Sequence, residues 1–365
     1  MKSDEDFMKR ALLLAARARG KTLPNPMVGA VLVRRGKIIQ EGWHRRAGEE
    51  HAERKVLLKA GTAARGATLF VTLEPCCHFG KTPPCTDIIL ESGVARVVVA
   101  ARDPFPLVSG KGIKILRRAG LDVKTGVLEQ ESRRLNEAFF TYHEKKRPFI
   151  TIKWAMSMDG RTSTDTGSSM WITGPEARRY SHRLRGFHAA VSVGIGTILV
   201  DNPRLSVRST PCIRQPDCVI IDPELRTPPW AAVLQESHRV FIACGSLSSP
   251  QRSRRASLLK SVGAIILPLK ERSGEIPIRL LLKKLHEKGI QSLYIEGGRK
   301  LAGRFLRTGM VDKFALFMAP RIIGGIGVTS PLVFQGPDTI KDCPEIRIVR
   351  SRRFGRDYYF EAYPV

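Results

Sequence analysis

The sequence predicts an α/β protein built as two consecutive domains. Three observations carry this. At 365 residues the chain is long enough for two ordinary cores. Short β-rich runs alternate with segments of helical apolar spacing along its length. Near the middle a charged stretch that ends at a proline, HEKKRPF at 143–149, interrupts the alternation. It places one domain at 1–146 and a second at 147–365.

In the first domain, 7–19 has helical spacing and stops at Gly20. Residues 28–33 and 37–43 read as a hairpin about Arg35-Gly36, and 51–60 as a helix. A strand at 67–73 runs into TLEPCCHFGKTPPC, followed by a helix over TDIILES. Then come a strand at 95–101, a helix over GKGIKILRRAG, a short strand in LDVKTGVL and one helix over 129–144. The second domain restarts with the strand FITIKWAMS and a turn at Asp159-Gly160. Helices are expected at 175–185, 278–288 and 300–308. Strands are expected at 189–195, 218–222, 240–243, in SLYIEGG, and at 313–319, 345–349 and 358–363. VGIGTI reads as a glycine-bearing strand.

A composition of 42% hydrophobic and 26% charged residues fits a globular chain. The longest apolar runs, 94–101 and 188–200, are too short or too rich in Gly and Ser to span a bilayer. MKSDEDFMKR is acidic and mixed, unlike a signal peptide, so a cytoplasmic location is expected. Seven cysteines, two of them adjacent, then point to metal or packing roles rather than disulfides. The formal charge of +27 comes from scattered basic doublets and short runs, with no basic tail. Such a surface attracts phosphates, nucleotides or nucleic acid; equally, it is a solvated face with a compositional bias.

Chemistry concentrates around the cysteines. His51-Ala52-Glu53 opens a helix, Cys76 follows a strand and a proline, and Cys85 opens another helix. H-x-E followed by P-C-x8-C is the arrangement of zinc deaminases, with a longer second spacing. Three protein ligands, His51, Cys76 and Cys85, leave a corner of zinc open for water, and zinc acidifies that water. Glu53 is the proton carrier. Two residues apart on a helix, His51 and Glu53 would face away by about 200°, but at a first turn both reach off the end. Cys77 should point away from the metal. His78 is either a fourth ligand or, with Lys81 and Thr82, a contact to an anionic substrate; the insertion HFGKTPP favours the contact. A purely structural zinc site is disfavoured by the acid beside His51.

These residues carry a resemblance. PNPMVGAVLV, HAE, TLEPCCHFGKTPPC and ARDP resemble the cytidine-deaminase-like, α/β/α-layered domain of the bifunctional riboflavin-biosynthesis deaminase/reductases. KWAMSMDGR, SMWITGPEAR, VGIGTILVDNPRLSVR and YIEGGRKLAGRFL resemble their reductase domain, a relative of dihydrofolate reductase. The resemblance covers nearly the whole chain. It implies hydrolytic deamination of a phosphorylated diamino-ribosylaminopyrimidinone. NADPH reduction of the ribosyl to the ribityl chain follows. It places Asn25, His44, His78, Lys81, Thr82 and Asp103 on the first substrate. Ala155, Trp171, Thr197, Asp201, Gly298, Arg299, Lys300, Leu301, Ala302, Gly303 and Arg304 would hold NADPH. Lys153, Ser169, Arg185, Leu205, Arg208 and Glu296 would hold the second substrate. It further implies a homo-oligomer formed through the reductase domain.

The residues support this half more weakly. IEGGRKLAG puts two glycines before a helix, where backbone N–H groups either approach a pyrophosphate or simply turn the chain. Arg185 and Arg208 either grip a phosphate or lie on the surface. Asp201 either polarises the reacting group or caps a turn. Lys153, in an apolar strand, needs a partner, and Glu296 or the substrate's charge is the candidate. Three positions depart from the family pattern: Phe105 stands for an asparagine, His188 for an aspartate, and Asn202 for the second acid of a D-D-P motif. Two other readings compete. A nucleic-acid deaminase would use the charge, but the long cysteine loop and the lack of an RNA-binding signature disfavour nucleic acid as partner. A non-catalytic zinc protein would need a broken H-x-E.

Overall fold

The structure, a computed structural model, describes residues 2–80, 82–236, 238–327 and 329–365. It divides into two compact units, Met1–Lys146 and Arg147–Val365.

The first unit contains α1 (Asp4–Ala16), β1 (Gly29–Arg34), β2 (Lys37–Trp43), α2 (Ala52–Ala60), β3 (Thr68–Leu73) and α3 (Cys85–Glu91). After them come β4 (Arg96–Ala101), α4 (Lys111–Arg118), β5 (Asp122–Thr125), α5 (Glu129–Leu135) and α6 (Glu137–Lys145). Its sheet has the order β2-β1-β3-β4-β5, with β3, β4 and β5 parallel and β1 antiparallel to both neighbours. Arg35 and Gly36 both have positive φ, as a two-residue turn between twisted strands requires. Strand alternation divides the core. Ala30, Leu32, Leu69, Val71, Val97 and Val99 face α2, α3 and α4. Val31, Val33, Phe70 and Val98 face Phe7, Met8, Ala11 and Leu14 of α1. Gly29 allows α1 to lie directly on β1: a Cβ there would sit 2.1 Å from the Ala11 carbonyl oxygen.

The helix expected over 129–144 is broken at Asn136, whose φ of −109° is not helical. Its side chain explains the break. Oδ1 accepts from the Met27 N–H at 2.7 Å, and Nδ2 donates to the Met27 carbonyl at 2.9 Å. Asn136 thus supplies a strand-like pair to the loop before β1, and the helix restarts as α6 after it.

The second unit contains β6 (Phe149–Ser157), α7 (Pro175–Arg185), β7 (Ala190–Gly194), α8 (Ile195–Asp201), β8 (Asp217–Ile221), β9 (Val240–Cys244) and α9 (Pro250–Ser261). It continues with β10 (Ile265–Pro268), α10 (Ile278–Glu287), β11 (Ser292–Glu296), α11 (Arg299–Arg307), β12 (Lys313–Ala319), β13 (Ile346–Phe354) and β14 (Asp357–Pro364). The sheet order is β10-β9-β8-β7-β11-β6-β12-β14-β13. Strands β10 to β12 in that order run parallel, and the β13–β14 hairpin closes one side antiparallel. Ile150, Ile152, Leu293 and Ile295 face α10 and α11. Tyr294, Ala155 and Val191 face α7, α8 and α9. Period-two alternation therefore turns Lys153 and Glu296 toward the face that α7 covers.

VGIGTI is not a continuous strand. The strand ends at Gly194, an extended N-cap, and Ile195–Asp201 is helical. The helix α9 and the short β10 were not expected from the sequence. Asn202 ends α8 in the left-handed region, φ 38°, and its Oδ1 accepts from the Ala232 N–H at 2.8 Å. Asparagine suits that conformation better than most side chains. His188 also has a settled place. Its Nδ1 lies 2.8 Å from the Leu184 carbonyl, its Nε2 2.9 Å from the Thr151 hydroxyl, and its ring stacks on Tyr294. No helix among the described residues is long and apolar enough to cross a membrane.

Candidate active sites

In the first unit, two helix starts and the end of one strand meet. His51 is the N-cap of α2, with extended backbone (ψ 161°), so it escapes the helical phase that would turn it from Glu53. Cys85 is the first residue of α3, and Cys76 lies three residues past β3. The ligand atoms of His51, Cys76 and Cys85 all lie within 4.8 Å of one another, the one such group among the described residues. His51 Nδ1 is 3.5 Å from Cys76 Sγ and 3.4 Å from Cys85 Sγ. A tetrahedral zinc with ordinary bond lengths would hold such an N and S about 3.6 Å apart, so the donor set fits that ion in type and spacing. The Cys85 thiol, the His51 ring and the Cys85 N–H (3.3 Å) push the Cys76 thiol down to about 4. Cys77 and His78 are outside the group. Cys77 Sγ lies 3.6 Å from the Leu107 carbonyl, and burial raises its pKa.

Glu53 is buried beside this cluster, and desolvation pushes its carboxyl up to about 7. Asn25 Nδ2 is 3.2 Å from His44 Nε2, while His44 Nδ1 is 3.2 Å from the Glu50 carbonyl and its ring meets His51 edge-on at 5.2 Å. Asn25 and His44 therefore adjoin the cluster. Asp103 is buried and accepts from the Phe105 N–H at 2.7 Å; burial pushes it up to about 7. Phe105 packs against His78 (5.9 Å) and His143 (5.2 Å), an aromatic wall where the family pattern has an amide. Thr82 lies in the same loop, its carbonyl accepting from Gly80. Lys81 lies outside the described residues.

One residue escaped the sequence reading. Glu74 is buried, and its carboxylate accepts the backbone N–H groups of Asp103 (3.2 Å), Gly110 (2.9 Å) and Ile113 (3.1 Å). It anchors the loop that carries Asp103 and Phe105 to the strand that leads to Cys76. Gly112 completes this packing, since a Cβ there would lie 2.1 Å from the Pro75 carbonyl oxygen. A glutamate at the end of an apolar strand, just before P-C, was the available signal.

In the second unit, β7 and β11 are parallel neighbours, so α8 and α11 start side by side. Gly297 and Gly298 have φ of 66° and 73° and lie against Thr197. The first-turn amides of α11, from Arg299, Lys300 and Leu301, have no intrahelical acceptor and can take a pyrophosphate. Leu301 and Ala302 bury their side chains in the core, leaving only backbone to a ligand. Gly303 packs against the Val333 carbonyl. The Arg304 guanidinium donates to the Ile276 carbonyl at 2.6 Å and pairs with Glu275 at 3.2 Å, so it is engaged within the fold. Ala155 is half-buried on β6, and Trp171 is exposed with Arg178 over its ring at 4.4 Å. Ser169 and Asp201 are exposed.

Lys153 and Glu296 are paired across β6 and β11, as register partners. Their side chains are not the expected ion pair. Glu296 instead binds Arg185 of α7 bidentately, Nε and Nη2 each at 2.8 Å, and Arg185 Nη1 reaches the Ser206 carbonyl at 2.7 Å. A rigid guanidinium fork matches a carboxylate better than an ammonium does. Arg185 and Lys153 hold the Glu296 carboxyl down to about 2, against the penalty of its burial. Burial lowers the pKa of Lys153, whose ammonium lies 5.9 Å from the Phe317 ring centroid. Leu205 is buried with left-handed backbone (φ 59°), and Arg208 is exposed.

Comparison with known proteins agrees with both halves. The profile "Cytidine and deoxycytidylate deaminase zinc-binding region" matches residues 1–101, and "RibD C-terminal domain" matches 148–360. The chain is 45% identical to the riboflavin biosynthesis protein RibD of Aquifex aeolicus, over 99% of both chains. It is 40% identical to that of Bacillus amyloliquefaciens, over 99% of this chain and 96% of the other. Among solved structures, Acinetobacter baumannii RibD (form 1) superposes with a TM-score of 0.87 at 35% identity, covering 99% of each chain. The Thermotoga maritima diaminohydroxyphosphoribosylaminopyrimidine deaminase/5-amino-6-(5-phosphoribosylamino)uracil reductase gives 0.83 at 37%, also over 99% of each. The chain belongs to the RibD family, bifunctional enzymes of riboflavin biosynthesis in which a zinc-dependent deaminase domain precedes an NADPH-dependent reductase domain.

Proposed function

We propose that the first domain, 1–146, deaminates the phosphorylated diaminohydroxyphosphoribosylaminopyrimidine named for the Thermotoga relative. The second, 147–365, would reduce the resulting 5-amino-6-(5-phosphoribosylamino)uracil to its ribityl form. The convergence of His51, Cys76 and Cys85 on one point beside a buried carboxyl carries the reading. His51, Cys76 and Cys85 would hold zinc, which would supply a Lewis-acidic corner to activate water. Glu53, buried with its carboxyl pushed up to about 7, would carry a proton from water to the leaving amine. Asn25 and His44 would orient the pyrimidine edge, and Asp103, His78 and Thr82 would contact its polar and phosphorylated parts, with Lys81 proposed as a further contact to the phosphate.

In the second domain NADPH supplies hydride. Gly298–Arg304 and Thr197 seat its pyrophosphate, the arginine and the apolar members acting through backbone or packing. Ala155, Trp171 and Asp201 line the remainder. Lys153 would provide charge to the substrate, the buried Arg185–Glu296 pair would set the floor of its site, and Arg208, Ser169 and Leu205 would border its phosphate end. The protein acts in the cytoplasm as a homo-oligomer joined through reductase domains, and nucleic acid is not its substrate. The test is to incubate the protein with the diaminopyrimidine phosphate and NADPH, following ammonia and nicotinamide absorbance. NADPH oxidation that requires prior ammonia release supports the reading. Ammonia release that survives Glu53→Ala refutes the deaminase half. Native mass spectrometry tests the oligomer.

A further inference from the structure

Asn25, which would orient the pyrimidine edge, is half-buried and stands between two prolines in the loop TLPNPM. Distances put it beside the metal cluster. Its Nδ2 lies 3.2 Å from His44 Nε2, and the His44 ring meets the ring of His51 with centroids 5.2 Å apart. The loop has few backbone groups with which to hold this side chain in place. Pro24 and Pro26 have no N–H to donate, and Pro26 restricts the backbone of Asn25 before it. On the upstream side the Asn25 N–H donates to the Thr22 carbonyl at 2.7 Å. On the downstream side the Met27 N–H and carbonyl both go to the side chain of Asn136, at 2.7 and 2.9 Å.

Asn136 lies 109 positions along the chain from Met27, is buried, and interrupts the run of α5 into α6 to make these two bonds. An amide carries an acceptor and a donor side by side, the pattern that one residue's N–H and carbonyl require. The helix that Asn136 opens also lies against the site. Phe139 and Phe140 of α6 pack on Leu73 and Ala101, the last residues of β3 and β4, with Val28 and Phe105 against the same cluster. The His143 ring, at the other end of α6, meets Phe105 at 5.2 Å. Asn136 is therefore fixed to the strand ends from which the Cys76 and Asp103 loops leave. Only Pro26, whose φ is locked by its ring, separates the Met27 backbone from Asn25, so the link between Asn136 and Asn25 is short and stiff.

We propose that Asn136 is a positioning residue of the deaminase reaction, holding Asn25 at the metal cluster through the Met27 backbone. This rests on the deaminase reading of the first domain given above. A double-mutant cycle on the full chain tests it, with ammonia release from the diaminopyrimidine phosphate as the rate and metal analysis and hydrogen exchange alongside. Asn136→Ala should lower kcat/KM for ammonia release about tenfold and speed exchange at the Met27 amide. Zinc content, and NADPH oxidation with the deaminated compound supplied, should stay those of the parent. Because Asn136 acts through Asn25, the double variant Asn25→Ala, Asn136→Ala should be no slower than Asn25→Ala alone. A double variant slower than Asn25→Ala by the full Asn136→Ala factor overturns the proposal, since a general loosening of the domain adds to the loss of Asn25 instead of sharing it. So does an Asn136→Ala variant within twofold of the parent. If Asn136→Ala does not fold, Asn136→Asp, which keeps the shape and the acceptor for the Met27 N–H, takes its place in the cycle. A parent protein that binds the compound yet releases no ammonia overturns the deaminase reading instead, and the same cycle is then scored on Kd by calorimetry. One that neither binds nor deaminates the compound overturns both.

Discussion

The Glu296 carboxylate meets the Arg185 guanidinium through two parallel hydrogen bonds of 2.8 Å, although Lys153 is its register partner on the adjacent strand. Removing one member of a buried pair strands the other charge in a poor solvent, at a cost of about 3–5 kcal/mol. Glu296→Leu should therefore lower the melting temperature of the second domain by several degrees. Arg185→Lys should recover only part of the loss of Arg185→Leu, because an ammonium cannot make both bonds. Differential scanning calorimetry reads both effects.

Glu53 and the metal ligands should separate the two activities. Glu53→Gln should lower ammonia release by about 10²–10⁴-fold while zinc content stays that of the parent. Cys85→Ala should lose the zinc. Chelation should stop ammonia release yet leave NADPH oxidation intact when the deaminated compound is supplied. Metal analysis beside the two half-reactions decides this.

Glu74 touches no proposed ligand atom, yet it receives three backbone amides. In Glu74→Ala those buried donors lose their acceptor, each at about 1–3 kcal/mol before water relieves some. We expect faster hydrogen exchange at 103–113 and lower ammonia release, with zinc retained. Unchanged exchange there would remove Glu74 as the anchor of the loop.

His188 should make the second domain acid-sensitive. Burial holds its folded-state pKa below the ordinary 6.5, at about 4. The unfolded chain therefore takes up this proton first as pH falls. The stability contributed by neutral His188 is complete above about 6.5 and lost progressively toward about 4, at up to about 1.4 kcal/mol per pH unit. Urea unfolding at a series of pH values should show a shallower slope in His188→Gln. An identical slope would mean that His188 is not the titrating group.

Most elements were legible because their signals are local. The 3.6-residue spacing of 278–288, the proline that opens α7 and the turn at Arg35-Gly36 act within a few residues. The misreadings were tertiary in origin. Asn136 breaks a helix that its neighbours favour, because Met27, more than a hundred positions away, needs its amide. Glycines in VGIGTI suggested a strand until Gly194 became the cap of α8.

By itself the sequence determined the alternating elements, the division near residue 146, and three side chains at element ends that could hold a metal ion, since periodicity, capping and ligand type are properties of neighbours along the chain. Only the tertiary structure decided that Arg185 takes the Glu296 carboxylate, that Glu74 holds the loop of Asp103, and that Asn136 takes the Met27 backbone. Those outcomes depend on which helix covers which sheet face. Side chains remote in sequence compete there for one partner, and geometry rather than order along the chain selects the winner.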